Sequence, residues 1–396
     1  MENYRICTLA DIGEIVSGAT PRTNDPDNFG GNIAWLTPAD LSGYSAKYIS
    51  HGARNLTEKG YNSCGTRLMP KGAVLFSSRA PIGYVAIADN PICTNQGFKS
   101  IIPNESISSE FLYYQLKYLK KTIQDMGSGT TFKEISAKKF STIKIIVPSI
   151  LEQERIVTRI EELFSQLDAG VETLKKTKAL LAVYRQAVLK EAFDAVCGTE
   201  YIIDDVCKEI KVGIVIKPTQ YYVARDGVLA FRNANVRRGY IDDCDWVMIS
   251  KEGHEKNRKS EVHEGDVLIS RSGANLGMAS PVSSKYDGYN AIDVVIAVPD
   301  QTIIIPAYLA YYTNSPMGRS IVKKNERGAA QGHLNVTVYG KLPIVVPSLS
   351  KQQTIVEEIE GKLSVCDSIE QTVDTALQQA EALRQSILKR AFEGRL

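Results

Sequence analysis

Asp205, Glu209 and Lys211 carry the side-chain types of a metal-dependent nuclease centre. Such a centre gathers its ligands from separate strands, so that they converge on the ion. Here all three share one short apolar-patterned segment, and their closeness is read as chance. Ser386 and Lys389 have Ser-x-x-Lys spacing but sit inside a long helical pattern, so they are set aside as well. The histidines, at 51, 254, 263 and 333, suggest neither a metal cluster nor a His-based triad. No Gly-x-x-x-x-Gly-Lys-Ser/Thr phosphate loop is present, which argues against ATP hydrolysis by this chain. A methyltransferase would need a glycine-rich cofactor loop after a strand and an Asn-Pro-Pro-aromatic segment, and neither occurs. The seven cysteines (7, 64, 93, 197, 207, 244, 366) are odd in number and lack any Cys-x-x-Cys pair. That favours a reducing cytoplasm and argues against disulfides and a structural zinc site. The expectation is a chain with no catalytic residues and no metal of its own.

The elements that could position other chemistry are set by an internal repeat. Residues 147–193 and 346–392 align at a shift of 199 without a gap, with 17 of 47 positions identical. Both copies read as long helices. Apolar residues recur in steps of three and four, among them Ile156, Ile160, Leu181, Tyr184 and Val188 in the first copy. The second has Ile355, Ile359, Cys366, Ile369, Val373 and Ile387. Ser149 with Glu152, and Ser350 with Gln353, have capping-box spacing. Gly198 and Gly394 follow the ends, where a left-handed cap is favoured. Rods of about 42 residues would be roughly 60 Å long. The simplest burial sets each stripe against the other, antiparallel.

The remainder divides into a first globular domain, 1–148, and a second, 198–347, each followed by a helical segment, 149–197 and 348–396. In the first, Leu9, Ile12 and Ile15 have a helix-like spacing and lead into a Gly/Pro/Asn-rich loop; order resumes at 33–36. Strands are expected at 71–79, 84–88, 98–103 and 143–148, with an aromatic-faced helix at 109–125 and a glycine-rich loop at 126–136. Tyr113, Tyr114, Tyr311 and Tyr312 are read as core. The second domain repeats the outline with divergent loops: 229–236 answers 34–41, 264–277 answers 71–83, and 327–347 answers the stretch ending at 148. The predicted fold class is α+β: two similar globular domains separated by two long helices that form an antiparallel coiled coil, a pseudo-two-fold internal repeat. The net charge of +2 hides an uneven distribution, +4 and +1 on the globular parts and −1 and −2 on the helices. No run approaches the length of a transmembrane helix and no signal peptide is evident, so a cytoplasmic protein without a membrane is expected.

In its motifs, SGATP…GGNIAWLTPADLS, KGAVLFSSRAPIG, TNQGF (94–98), GSGTTF and the duplicated junction at 147–168 and 346–367, the chain resembles the specificity subunits of type I restriction–modification systems over essentially its whole length. The second domain departs from the pattern, with Phe231, Arg232 and Asn233 in place of the Trp-Leu-Thr-Pro piece. The resemblance implies two target-recognition domains, each reading one half of a bipartite double-stranded DNA site. Their helices would set the spacer and dock two methyltransferase subunits, which two restriction subunits could join. The chain itself would hold no cofactor; S-adenosylmethionine would belong to the methyltransferase, and ATP and Mg to the restriction subunit. Arg or Lys on guanine and Asn or Gln on adenine are the pairings such a reader uses. The candidate DNA-binding residues are Arg22, Thr23, Arg79, Asn95, Gln96, Thr130, Thr131 and Lys133, then Arg232, Asn233, Asn235, Arg237, Arg238, Arg271, Asn275, Gln331 and His333. Arg155, Arg159, Glu162, Glu357 and Glu358 are the partner-binding candidates on polar helix faces. Two other readings compete: a compact metal-dependent nuclease, and an assembly scaffold that binds no DNA.

Overall fold

The computed structural model describes residues 4–79, 81–129, 133–194, 196–320 and 333–396. They fold into two compact units, one of residues 1–174 with 375–396 and one of residues 175–374, so the division falls inside both long helices.

In the first unit, strands β1 (Arg5–Thr8) and β10 (Lys144–Val147) pair antiparallel. Strands β2 (Gly13–Ser17), β5 (Tyr48–Ile49), β6 (Val74–Phe76), β7 (Val85–Ala88) and β9 (Lys99–Pro103) form a sheet in the order β2-β9-β6-β7-β5. After β3 (Phe29–Ile33), the short β4 (Trp35–Leu36) pairs in parallel with β8 (Cys93–Thr94). The second unit uses the same plan. Strands β11 (Thr199–Ile202) and β20 (Pro343–Val346) pair as β1 and β10 do. Strands β12 (Cys207–Val212), β16 (Val267–Ser270), β17 (Ala279–Pro281) and β19 (Val294–Pro299) form a sheet in the order β12-β19-β16-β17, matching β2-β9-β6-β7. Beside β13 (Tyr222–Val223) and β15 (Val247–Ile249), β14 (Val228–Phe231) pairs in parallel with β18 (Asn290–Ala291). The same strand order with different loops is the structural content of the repeat.

Several expectations are revised. Leu9, Ile12 and Ile15 do not form a helix: the Asp11 carboxylate accepts from the Thr8 amide and hydroxyl, both at 2.7 Å, and turns the chain into β2. Both Leu9 and Ile12 are nonetheless core residues. The helix expected at 109–125 is two, Ser109–Tyr118 and Lys120–Met126. The first is capped by the Ser108 hydroxyl, which accepts from the Phe111 amide at 3.2 Å. Tyr113, Tyr114, Tyr311 and Tyr312 are buried, as read from the pattern.

The repeated segments form helices Ile150–Asp194 and Leu349–Phe392, of 45 and 44 residues. The second begins one residue after Ser348, so Ser350 lies inside its first turn and is not the cap. Gly394 adopts the left-handed φ of +70° at the helix end, whereas Gly198 does not have positive φ. Gly198 is required for another reason: a Cβ there would lie 2.6 Å from the Val346 carbonyl of β20.

Within each unit the helix segments run antiparallel. In the first, Asp168 pairs with Arg384, whose guanidinium also covers the Phe164 ring. In the second, Lys178 binds Asp374 at 2.7 Å, and Arg185 binds Glu370 at 2.7 Å and also Asp367. The stripes are buried against more than each other. Ile156, Val157 and Ile160 join the core of Phe111, Leu112 and Phe140, with Leu388 and Phe392 closing it. Ile355, Val356 and Ile359 join Tyr308, Leu309 and Tyr339, closed by Leu189 and Phe193. Tyr184 and Ile369, read as stripe residues, are 50% and 40% exposed. At 100° per residue, Tyr184 stands about 50° to one side of the line through Leu181 and Val188. The ion pairs on the helices are half-exposed. Arg185→Ala is expected to cost about 0.5–1 kcal/mol, a small shift in a thermal melt that shrinks further in 1 M salt.

Candidate nucleic-acid interface

The segments on which the family resemblance rests converge at one end of the first unit's sheet. The Ala19 amide donates to the Thr94 carbonyl at 3.0 Å, and the Trp35 indole N–H to the Ala19 carbonyl at 3.2 Å. The Asn95 amide donates to Leu36 at 2.8 Å, the Ser78 amide to Gly97 at 2.7 Å, and the Ile135 amide to Ser78 at 3.0 Å. Only glycine fits at position 18, since a Cβ would lie 2.1 Å from the Thr94 carbonyl oxygen. Five loops distant in sequence are thus laced edge to edge by backbone hydrogen bonds, which leaves their side chains to differ.

On this frame Gln96 is exposed and accepts from the Thr20 hydroxyl. The Asn95 side chain turns inward and accepts from the Gly97 amide at 2.8 Å. Arg79 lies 3.7 Å from Glu134, and the buried Lys99 lies 3.9 Å from the same carboxylate. Burial holds the Lys99 ammonium below its ordinary pKa, with Glu134 opposing the shift and Arg79 adding to it. Lys133 is exposed, as are Arg22 and Thr23 on the loop before Pro26. Thr130 and Thr131 lie outside the described residues.

In the second unit the corresponding loops meet around Asn233. Its Oδ1 accepts from the Arg271 amide at 2.6 Å and the Ser270 hydroxyl at 3.1 Å, while its Nδ2 donates to the Ser272 hydroxyl at 2.9 Å. Asn275 Nδ2 donates to the Asn233 carbonyl at 3.0 Å. Arg271 binds Asp293 at 2.7 Å through Nη1 and the Leu334 carbonyl at 3.0 Å through Nε. The Leu334 amide returns a bond to the Arg271 carbonyl at 2.9 Å, the counterpart of Ile135 on Ser78. Arg237 is paired with Asp242 at 3.0 Å, and Arg232 donates to the Asp245 carbonyl. Arg238 and His333 are exposed; Gln331 lies outside the described residues.

Asn235 is corrected from reader to scaffold. It is fully buried, and its amide donates to the carbonyls of Asp242 at 3.1 Å and Cys244 at 2.7 Å while accepting from the Arg232 amide at 2.9 Å. It does for this loop what Asp40 does in the first unit, where the carboxylate accepts from the Thr37 amide at 2.7 Å. Asn233, with its amide spent on neighbouring loops, is likewise a fastener. Asp293, Lys99 and Glu134 were not singled out from sequence. Asp293 could have been found from register: Leu36 faces Thr94 and Phe231 faces Ala291, which sets Asp293 in the place of Gln96.

Of the partner-binding candidates, Arg155 is held by Glu152 through two bonds of 2.7 Å, and Arg159 by Glu162 at 3.0 Å, all on an outer helix face. Glu357 accepts from Gln353 at 2.9 Å, and Glu358 borders a groove with Val188, Ala192, Ile355 and Lys362. The neighbouring Glu161 and Glu360 face their domains: Tyr114 donates to the first at 3.3 Å and Tyr311 to the second at 3.5 Å. Burial, reinforced by Glu360, pushes the Tyr311 hydroxyl up to about 12, so it remains a donor at neutral pH. Among the described residues no group of three or more His, Cys, Asp or Glu could hold a metal ion, and no helix is long and apolar enough to cross a membrane.

The structure is thus a twice-used α+β frame with divergent polar loops, joined to two long helices. The chain belongs to the family of type I restriction–modification DNA specificity domains, whose family model matches residues 1–180 and again 201–379. It is 39% identical over 319 residues to the type I restriction enzyme MjaIX specificity subunit of Methanocaldococcus jannaschii, covering 74% of this chain and 72% of that one. It is 24% identical to the EcoKI specificity subunit of Escherichia coli K12, over 100% of this chain and 89% of the other. The fold is shared with a subunit of a type I R-M system solved to explain its assembly and conformational transition, at a TM-score of 0.77 and 19% identity, covering 100% and 99% of the two chains. The HsdS subunit of Thermoanaerobacter tengcongensis aligns at a TM-score of 0.57 and 18% identity, covering 100% and 97%. The chain is a DNA sequence-specificity subunit of a type I restriction–modification system.

Proposed function

We propose that each recognition domain, 1–148 and 198–347, reads one half of a bipartite double-stranded DNA site, and that the helical segments 149–197 and 348–396 set the spacer between the halves. Readers entering the major groove on one DNA face lie about one helical turn, ~34 Å, or a multiple of it apart, so the spacer is fixed in length. The chain is non-catalytic by itself and acts in the cytoplasm. It directs two methyltransferase subunits, which carry S-adenosylmethionine, to methylate adenine within the site. With two restriction subunits, which use ATP and Mg, the same recognition leads to cleavage of unmodified DNA. The polar helix faces around Arg155, Arg159 and Glu162, and around Glu357 and Glu358, receive the methyltransferases. The observation that carries this reading is the conserved strand order of the two units beside loops that differ in length and chemistry. A shared strand order with different fastened side chains suits two half-sites of different sequence.

The test is single-molecule methylation sequencing of DNA from cells expressing this chain with its neighbouring methyltransferase. A modified motif of two short halves around a fixed gap is expected, and replacing residues 198–346 with those of a relative changes one half only. Assembly of the complex without any modified motif would leave a scaffold role instead. Cleavage by the isolated chain with a divalent metal would mark a nuclease.

A further inference from the structure

We propose that Arg271 reads a guanine in the half-site of the second unit, and that Asp293 is the positioning residue that aims it. The inference rests on the bipartite reading above and names one base within it. Four candidate arginines stand on loops of the second unit: Arg232, Arg237, Arg238 and Arg271. Arg232 is drawn onto the Asp245 carbonyl, and its Nε is buried. Arg237 is turned onto Asp242 with Nη1 buried. Arg238 is exposed and shares a groove with Tyr311, Glu360 and Asp367, which sets it toward the helices and not toward a base edge.

Arg271 differs from all three. Nε is fixed on the Leu334 carbonyl at 3.0 Å and Nη1 on Asp293 at 2.7 Å, so the guanidinium plane is held at two points. Its backbone amide is fixed by Asn233 at 2.6 Å and its carbonyl by the Leu334 amide at 2.9 Å. Nη2 has no hydrogen-bond partner among the described residues, and the side chain keeps 24% of its surface exposed. The two bonds grip the guanidinium from opposite flanks, since Nε–H shares its edge with Nη2 and Nη1 stands on the Cδ side. With Asp293 on the Nη1 hydrogen of that flank, the other Nη1 hydrogen and its Nη2 neighbour remain parallel donors at the end of the fork. Two parallel donors match the O6 and N7 acceptors that guanine alone presents side by side in the major groove. Asp293 is itself held, since its φ of 51° lies in the left-handed region and its amide donates to the Ile214 carbonyl at 3.1 Å. A side chain ordered before binding loses less entropy on binding, which is the advantage of an aimed arginine over a free one.

The experiment compares the methylation motif of the wild-type complex with those of Arg271→Lys, Asp293→Asn and Arg238→Ala. The wild-type motif should contain a guanine in the half that changes when residues 198–346 are exchanged. Arg271→Lys keeps the charge but removes the fork, and preference for guanine at that one position should fall by about 10- to 100-fold, the discrimination of a bidentate pair. Asp293→Asn should relax the same position and no other. Arg238→Ala should leave every base preference unchanged. A wild-type bipartite motif with no guanine in the second half overturns the Arg271 assignment and leaves the bipartite reading standing. So does an Arg271→Lys complex that methylates with unchanged base preferences. If Arg271→Lys fails to assemble, the Asp293→Asn motif decides, and unchanged preferences there overturn the positioning role. A wild type with no bipartite motif overturns both.

Discussion

Gln352→Ala is expected to destabilise the second unit by about 3–5 kcal/mol, and Gln153→Ala the first by a similar amount. Both glutamines are completely buried, although glutamine is normally a surface residue. Gln352 Nε2 donates to the carbonyls of Ile303 at 2.8 Å and Pro347 at 2.9 Å, and its Oε1 accepts from the Ile305 amide at 2.8 Å. Gln153 repeats the arrangement on Ser106 and Pro148, both at 2.9 Å, and on the Ser108 amide at 2.8 Å. Each one joins the first turn of a long helix to the loop that starts the aromatic helix of its own unit. Alanine would leave three buried backbone groups unpaired, at about 1–3 kcal/mol each before relaxation or entry of water. For a unit of about 200 residues this is a fall of roughly 10 °C in melting temperature, measurable by calorimetry of the complex. Glutamate is the informative companion, because it preserves the accepting bond and loses both donating ones. A melt unchanged in Gln352→Ala would mean that water replaces the side chain at no cost.

The second large effect concerns the DNA. Cognate affinity of the chain in complex with its methyltransferase should fall by about 10³-fold or more between 50 and 200 mM salt, as expected when roughly 6–10 phosphates are neutralised. Exposed cations such as Arg22 and Lys133 stand on the loop segments of the first unit, while the overall charge of +2 gives no long-range attraction. The salt slope is therefore local, and Lys133→Ala should reduce it by about one unit. Fluorescence anisotropy on a labelled duplex provides the measurement. A flat salt profile would exclude phosphate contact and favour an assembly role without DNA.

Strands and long helices were legible from sequence because their apolar periods agree with their burial: Val74 to Phe76 and the line through Ile355, Ile359, Cys366 and Val373 are core residues. What failed was local geometry that composition leaves undetermined. Leu9, Ile12 and Ile15 have helical spacing, yet one aspartate bonded to Thr8 turns the chain instead. Tyr184 matches a count of threes and fours but faces solvent. The interface was legible as a set of loops and not as a set of contacts. An asparagine that reads a base and one that fastens a loop look alike in sequence, and Asn235 proves to be the fastener. Asp293 became visible only through the parallel pairing of β14 with β18. Gln153 and Gln352 stand at matching positions of the repeat, yet glutamine is a type more often found on the surface, so its type does not mark their burial.

The first unit is assembled from two stretches distant in sequence, with Leu388, Ala391 and Phe392 completing the core that contains Phe111. On the ribosome it must wait. Residue 174 emerges roughly 10–40 s before residue 396 at about 5–20 residues per second, so the second unit, a continuous stretch, can complete its core first. The second unit can therefore fold before the first, which exposes an unfinished apolar surface until Leu388, Ala391 and Phe392 have been made. A nascent chain arrested before Leu388 should therefore present a protease-resistant second unit beside a protease-sensitive first one.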